Sequence, residues 1–127
     1  MLEIIKYSEK KPKLSILVQD WSVRENFQLI DYLSRQDINQ SDIEIVFIEY
    51  YNQINQKITR DYNINTDTII KLNFDKNLEY SKHLMFNVGI AVSKGSIFCI
   101  CDSDAMLKND FARYLIDFHD KNKETYF

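Results

Sequence analysis

Residues 13–19, KLSILVQ, form a short apolar run without a helical period, which is typical of a buried strand in a parallel sheet. The next residues, SVRE at positions 22–25, form a capping box that predicts a helix beginning at Ser22 and running to about Gln36. Residues 43–48, IEIVFI, are a second apolar run of strand length. The order strand, helix, strand predicts a parallel pair with a right-handed crossover.

The same alternation continues along the chain. Residues 68–74 (TIIKLNF) and 96–101 (SIFCIC) are strand-like, and residues 81–94 are helix-like, ended by Gly95 in a left-handed C′ position. A last amphipathic helix follows, with four apolar residues on one face: Phe111, Tyr114, Leu115 and Phe118. This pattern predicts an α/β fold in which helices cover a mostly parallel sheet.

The composition indicates one folded domain over residues 1–127. A chain of 127 residues with 45% hydrophobic residues can bury a single core. Only two glycines and one proline are present, which argues against a disordered or linker-rich chain.

Charge and hydropathy exclude several partners. The 16 Lys and Arg residues against 19 Asp and Glu residues give a net charge of -3, so nothing favours nucleic acid. No apolar run approaches the ~20 residues of a membrane span, and the first 13 residues lack a signal-peptide core. We therefore expect a cytoplasmic protein.

Several common motifs are missing. The sequence has no glycine-rich phosphate loop, no GxSxG and no Cys and His pair at zinc spacing. Cys99 and Cys101 are one residue apart, which fits packed, reduced thiols rather than a redox pair or zinc knuckle. If the protein handles a diphosphate, a metal must replace the phosphate loop.

Three polar clusters follow predicted strands, where ligands bind in parallel sheets. They are Gln19-Asp20-Trp21, Glu49-Tyr50-Tyr51 and Asp102-Ser103-Asp104. The carboxylates of Asp102 and Asp104 can point at one Mg²⁺ or Mn²⁺ ion, which prefers such oxygen ligands. The alternative is an exposed turn that one of these carboxylates caps.

Trp21 and Glu49 each allow two interpretations. The Trp21 ring is either a core or rim aromatic or a platform on which a nucleobase stacks. Glu49 either accepts hydrogen bonds from a base or ribose or is merely solvated at the end of its strand.

Several segments resemble the GT-A nucleotide-diphospho-sugar glycosyltransferases, especially glycosyltransferase family 2. Residues 14–22, LSILVQDWS, are similar to the opening strand of that family, SIVIPTYN, and residues 33–36, LSRQ, to its first helix end. Residues 44–50, EIVFIEY, resemble its second strand. Residues 87–104 resemble its Asn-x-Gly and Lys-Gly stretch leading into a DxD motif, here Asp-Ser-Asp.

The resemblance implies a three-layer, Rossmann-like GT-A fold and metal-dependent transfer of a sugar from a nucleotide-diphosphate sugar. Asp104, assisted by Asp102, would bind Mn²⁺ or Mg²⁺, which stabilises the departing nucleoside diphosphate. Gln19, Trp21, Glu49 and Asp102 would contact the nucleotide sugar.

The resemblance covers residues 13–118, which correspond to the donor-binding half of a GT-A domain. The acceptor pocket and the catalytic base of the family belong to the other half, and no residue here matches the base motif. We therefore expect a truncated or degenerate half-domain. The predicted partners are the sugar donor and a glycan or other hydroxyl acceptor, and peripheral membrane attachment and a homo-oligomer through the uncovered sheet edge stay open.

Two other functions are compatible with the sequence. The chain could be a nucleotide-sugar-binding remnant or interaction module without chemistry. An apolar strand followed by DxD also resembles haloacid dehalogenase-like phosphatases, in which Asp102 would be the nucleophile and Asp104 the acid.

Overall fold

The computed structural model describes residues 2–122, so residue 1 and residues 123–127 of the expected domain lie outside the description. Within this range five strands form one sheet in the order β1-β4-β3-β2-β5. Strands β2 to β5 pair in parallel, and β1 is antiparallel to β4. The strands are β1 (Glu3–Lys6), β2 (Leu14–Asp20), β3 (Ile43–Tyr51), β4 (Thr68–Phe74) and β5 (Ile97–Cys101). The predicted, mostly parallel α/β architecture is confirmed.

Helices cover both faces of the sheet. They are α1 (Gln28–Ser34), α2 (Gln56–Thr59), α3 (Lys82–Val92) and α4 (Phe111–Lys121), with a short 3-10 turn at Gln40–Asp42. Apolar residues of α1, α2 and α4 form one core cluster with β2 and β3, and Met85 of α3 belongs to a second cluster with Leu17 and Ile48. None of the helices between residues 2 and 122 has both the length and the apolar character needed to cross a bilayer.

The two central strands explain the apolar runs of the sequence. Every residue of β2 and of β3 is buried. A strand that is covered on both faces needs apolar side chains on both, so it shows no alternation of apolar and polar residues.

Strand β1 has no counterpart among the predicted elements. Its four residues are mostly exposed and pair only with β4 at the edge of the sheet. So short and exposed a segment carries almost no hydrophobic pattern.

The prediction that a helix begins at Ser22 was wrong. Helix α1 begins at Gln28, and Ser22 has a left-handed φ of 62°. The Ser22 hydroxyl donates to Glu49 Oε1 and to the carbonyl of Gln53 instead of capping a helix. Non-local acceptors have therefore replaced the local capping box.

The prediction that Gly95 ends a helix in a left-handed backbone conformation was also wrong. Helix α3 ends at Val92, and no glycine among residues 2–122 has a positive φ. Gly95 is needed because a Cβ there would lie 2.7 Å from Ser15 Oγ. Its N–H donates to that hydroxyl at 2.9 Å, and the hydroxyl donates to the buried carboxylate of Glu44 at 2.7 Å. These hydrogen bonds hold the residues just before β5 against β2 and β3.

Helix α4 is turned slightly from the predicted orientation. It buries Ala112, Leu115 and Ile116, while Tyr114 is 58% exposed.

Cys99 and Cys101 are free and half-buried, with their sulfur atoms 3.5 Å apart.

Replacing Gly95 with alanine should lower the free energy of unfolding by about 1–3 kcal/mol, because the added methyl group collides with Ser15. Chemical denaturation measures the change. Ser96→Ala is the matched control, because Ser96 follows Gly95 and its side chain is exposed. This substitution should change the free energy of unfolding by less than about 0.5 kcal/mol. Equal stability of Gly95→Ala and the wild type would contradict the close approach.

Candidate functional site

The carboxyl ends of the central strands bring the three polar clusters to one edge of the sheet. Asp20 of β2 lies opposite Glu49 of β3 in the parallel register. On the other side of β2, Val18 lies opposite Cys101, so Asp102 leaves the sheet beside the end of β2. The convergence predicted for ligand binding is therefore present.

Asp20 shapes the turn that follows β2. It is fully buried, and its Oδ1 atom accepts hydrogen bonds from the backbone N–H groups of Trp21 (2.8 Å), Val23 (3.1 Å) and Arg24 (3.1 Å). Its Oδ2 atom is buried without a hydrogen-bond partner among the described residues. A buried carboxylate requires such donors, so residues 21–24 are held as a turn.

Glu49 supports the same turn from β3. It is fully buried, which makes the solvated interpretation wrong. Its Oε1 atom accepts from the N–H (3.2 Å) and hydroxyl (3.3 Å) of Ser22, and its Oε2 atom accepts from the N–H of Tyr51 (2.9 Å). Burial raises the pKa of Glu49 from 4.5 to about 7, against the lowering effect of the Tyr51 hydrogen bond and with a contribution from the nearby Asp20 charge.

Trp21 lies at the rim of this edge. Its ring stacks on Tyr80, with centroids 4.3 Å apart and planes inclined by 11°. The Arg24 guanidinium lies 5.3 Å from the ring centroid and the Lys82 ammonium 5.8 Å from it. The tryptophan is thus a half-buried rim aromatic that is flanked by a second ring and by two cations.

Gln19 lies on the opposite face of β2 from Asp20. Side chains alternate along a strand, and Leu17, two residues earlier, belongs to the cluster covered by α3. Gln19 is buried, and its Oε1 atom has no hydrogen-bond partner in the described part of the chain.

The Asp102-Ser103-Asp104 turn is pinned to the start of α1. The buried Ser103 donates its hydroxyl to the carbonyl of Asn26 (2.9 Å) and accepts the N–H of Leu29 at its own carbonyl (3.0 Å). Gln28 also donates its side-chain amide to the carbonyl of Asp104 at 2.7 Å. The side chains of Asp102 and Asp104 stay 70% and 53% exposed.

Arg24 contacts both exposed carboxylates, and the sequence did not indicate it. Its Nη2 atom lies 3.2 Å from Asp102 Oδ1, and its Nη1 atom lies 3.9 Å from Asp104 Oδ2. The only sequence signal was its place in the capping box, which predicted a helical position. The contact shows that oxygens of the two aspartates converge on one cation.

The donor set fits a hard divalent cation in part. Two carboxylates whose oxygens converge are suitable ligands for Mg²⁺ or Mn²⁺. Within residues 2–122 no cluster of three or more His, Cys, Asp or Glu side chains is arranged for a metal ion. A metal ion held by these two carboxylates would need further oxygen ligands from a bound molecule and from water.

The titration of Glu49 predicts a specific dependence of stability on pH. Below about pH 4.5 the carboxyl is protonated in both the folded and unfolded chains. Between pH 4.5 and about 7 only the unfolded chain ionises, so this group lowers the free energy of unfolding as pH rises, by up to about 3 kcal/mol. Glu49→Gln should remove that loss, so its stability relative to the wild type should rise from pH 4.5 to pH 8.

Urea denaturation across this pH range measures the difference between the two curves. Glu25→Gln is the control, because Glu25 is exposed and should follow the wild-type curve. Parallel curves for Glu49→Gln and the wild type would show that Glu49 ionises normally.

Solved structures of S. aureus TarS share this fold. The structure of TarS 1-349 aligns with a TM-score of 0.70 and 17% sequence identity, covering 86% of this chain and 32% of that chain. The structure of TarS aligns with a TM-score of 0.68 and 18% sequence identity, covering 86% of this chain and 20% of that chain. TarS 1-349 in complex with UDP-GlcNAc has a TM-score of 0.68, 18% identity and coverage of 86% and 31%.

No protein-family model matches the chain, and no curated protein matches it. The chain spans about a third or less of the TarS chains it resembles. At this level of identity the likeness concerns the fold alone, and it confirms the Rossmann-like α/β arrangement expected from the sequence.

Proposed function

We propose that this chain is the donor-binding portion of a glycosyltransferase and binds a nucleotide-diphosphate sugar with a divalent cation. The observation that carries the proposal is the convergence of Asp102 and Asp104 at the carboxyl edge of the parallel sheet. The fold is shared with TarS, whose structure is known in complex with UDP-GlcNAc, which makes a uridine diphosphate sugar the first ligand to test.

Asp104, assisted by Asp102, would hold Mn²⁺ or Mg²⁺ in this proposal. The bound cation would supply Lewis-acid stabilisation of charge on the departing nucleoside diphosphate. The turn that carries the aspartates is fixed by Ser103 and Gln28, while both carboxylates remain in reach of a ligand. Because this turn is already ordered, little conformational entropy is lost when a ligand binds to it.

The nucleoside would lie on the Trp21 side of the edge. An open pocket of about 620 Å³ is lined by Tyr51 and residues 76–80, so it adjoins the Trp21–Tyr80 stack. Aromatic rings at such a place favour stacking of a base. Gln19 and Glu49 stay predicted nucleoside contacts. Both are buried, so direct contact requires the residues that cover them to shift, and for Glu49 these include Ser22 of the 21–24 turn.

Acceptor binding and proton abstraction are assigned to no residue of this chain. A base has to reach the acceptor hydroxyl within hydrogen-bond distance. Glu49 holds a proton at neutral pH more readily than an ordinary carboxyl, but it lies beneath the turn with both oxygens engaged. The proposal for this chain is therefore donor and metal binding.

Calorimetric titration with UDP-GlcNAc, with and without Mn²⁺, tests the proposal. We expect binding that weakens by at least about tenfold, or ~1.4 kcal/mol, when Mn²⁺ is withheld or Asp104 is replaced in Asp104→Ala. Asp120→Ala is the matched control, since it removes an exposed aspartate from α4 and should bind as the wild type does.

Absence of binding with Mn²⁺ present would overturn the proposal, as would equal affinity in all three proteins. Hydrolysis of an aryl phosphate by the wild type, lost in Asp102→Asn, would support the phosphatase alternative instead.

A further inference from the structure

The guanidinium of Arg24 lies where a cation between Asp102 and Asp104 would lie. It reaches one oxygen of each carboxylate, at 3.2 Å and 3.9 Å, and its side chain is only 25% exposed. Two carboxylates one residue apart repel each other, and a single positive charge between them relieves that repulsion.

The backbone of Arg24 is fixed independently of these ion pairs. Its N–H donates to Asp20 at 3.1 Å, and its carbonyl accepts from the side chain of Asn55 at 3.3 Å. The guanidinium also lies over the Trp21 ring, and its Nε atom is buried without a hydrogen-bond partner among residues 2–122. The arginine is therefore directed at the aspartates by the fold and is not a freely solvated side chain.

We propose that Arg24 is the built-in counter-cation of the Asp102–Asp104 pair and has to leave these carboxylates when a divalent cation binds. The guanidinium and the divalent ion carry like charge and use the same oxygens, so they compete. This competition weakens metal binding to the protein alone.

A bound diphosphate reduces the competition between Arg24 and the divalent cation. This part of the inference rests on the proposed function. The diphosphate oxygens offer the displaced guanidinium two acceptors in a bidentate arrangement. Arg24 would then couple the binding of the cation to that of the nucleotide, because each ligand relieves the cost of the other.

Mn²⁺ titration without nucleotide, followed by the loss of the free-ion paramagnetic resonance signal, tests the first step. Arg24→Gln should bind Mn²⁺ more tightly than the wild type, by about twofold to fivefold, because the competing charge is gone. Arg24→Lys should lie between the two, since an ammonium is a point charge that does not span both carboxylates.

Arg113→Gln is the matched control. Arg113 pairs with Asp37 at 2.9 Å through an exposed side chain on α4, so its removal changes the net charge equally without touching the aspartate pair. Mn²⁺ affinity of Arg24→Gln that equals or falls below that of Arg113→Gln would overturn the proposal, as would absence of Mn²⁺ binding by every protein. If circular dichroism shows that Arg24→Gln does not fold, Arg24→Lys is compared with the wild type, which has the same net charge, and Mn²⁺ affinity no higher than that of the wild type overturns the proposal.

Repeating the titration with UDP tests the coupling. UDP should raise the Mn²⁺ affinity of the wild type by a larger factor than that of Arg24→Gln, and equal factors would overturn the coupling. If UDP binds to neither protein, the proposed function and the coupling that rests on it fail, while the nucleotide-free titration still decides whether Arg24 competes with the metal.

Discussion

The carboxylate of Asp20 determines how the chain leaves the first central strand. Three backbone N–H groups converge on one oxygen of this buried side chain, which holds residues 21–24 as a turn. Because of this turn, α1 begins only at Gln28, and the N–H of Leu29 is left to bind the carbonyl of Ser103. The position of the turn that carries the two exposed aspartates thus follows from a hydrogen-bond requirement at the end of β2.

Buried and exposed acids have different tasks in this protein. Asp20, Glu44 and Glu49 are fully buried and accept backbone N–H groups of the connections that pack against them, from Arg24, Lys94 and Ser22 respectively. Asp102 and Asp104 are exposed, and both pair with the side chain of Arg24. The buried acids fix the loops at both ends of the sheet, and the exposed pair takes no part in those hydrogen bonds.

The sequence was informative wherever a local pattern matched the tertiary environment. Strands β2 to β5 were predictable from apolar runs, and the place of the Asp-Ser-Asp turn followed from the strand before it. The capping box at Ser22 was misleading because the Ser22 N–H donates to Glu49, 27 residues along the chain, while Asp20 accepts the N–H groups of Val23 and Arg24 and holds them in a turn. The roles of Arg24 and Gly95 depend on residues 78 and 80 positions away, so no local pattern reveals them.

The proposed function requires the carboxyl edge of the sheet, built on Asp20, to bind a nucleotide diphosphate and a divalent cation together. Amide NMR spectra of the wild type with UDP-GlcNAc and a trace of Mn²⁺ test it most directly, because the paramagnetic ion broadens only nearby signals. Broadening should centre on residues 20–24 and 102–104 and should increase when the nucleotide sugar is added. Broadening centred elsewhere, for example on the groove formed by Met106 and Tyr114, or identical spectra with and without UDP-GlcNAc, would contradict it.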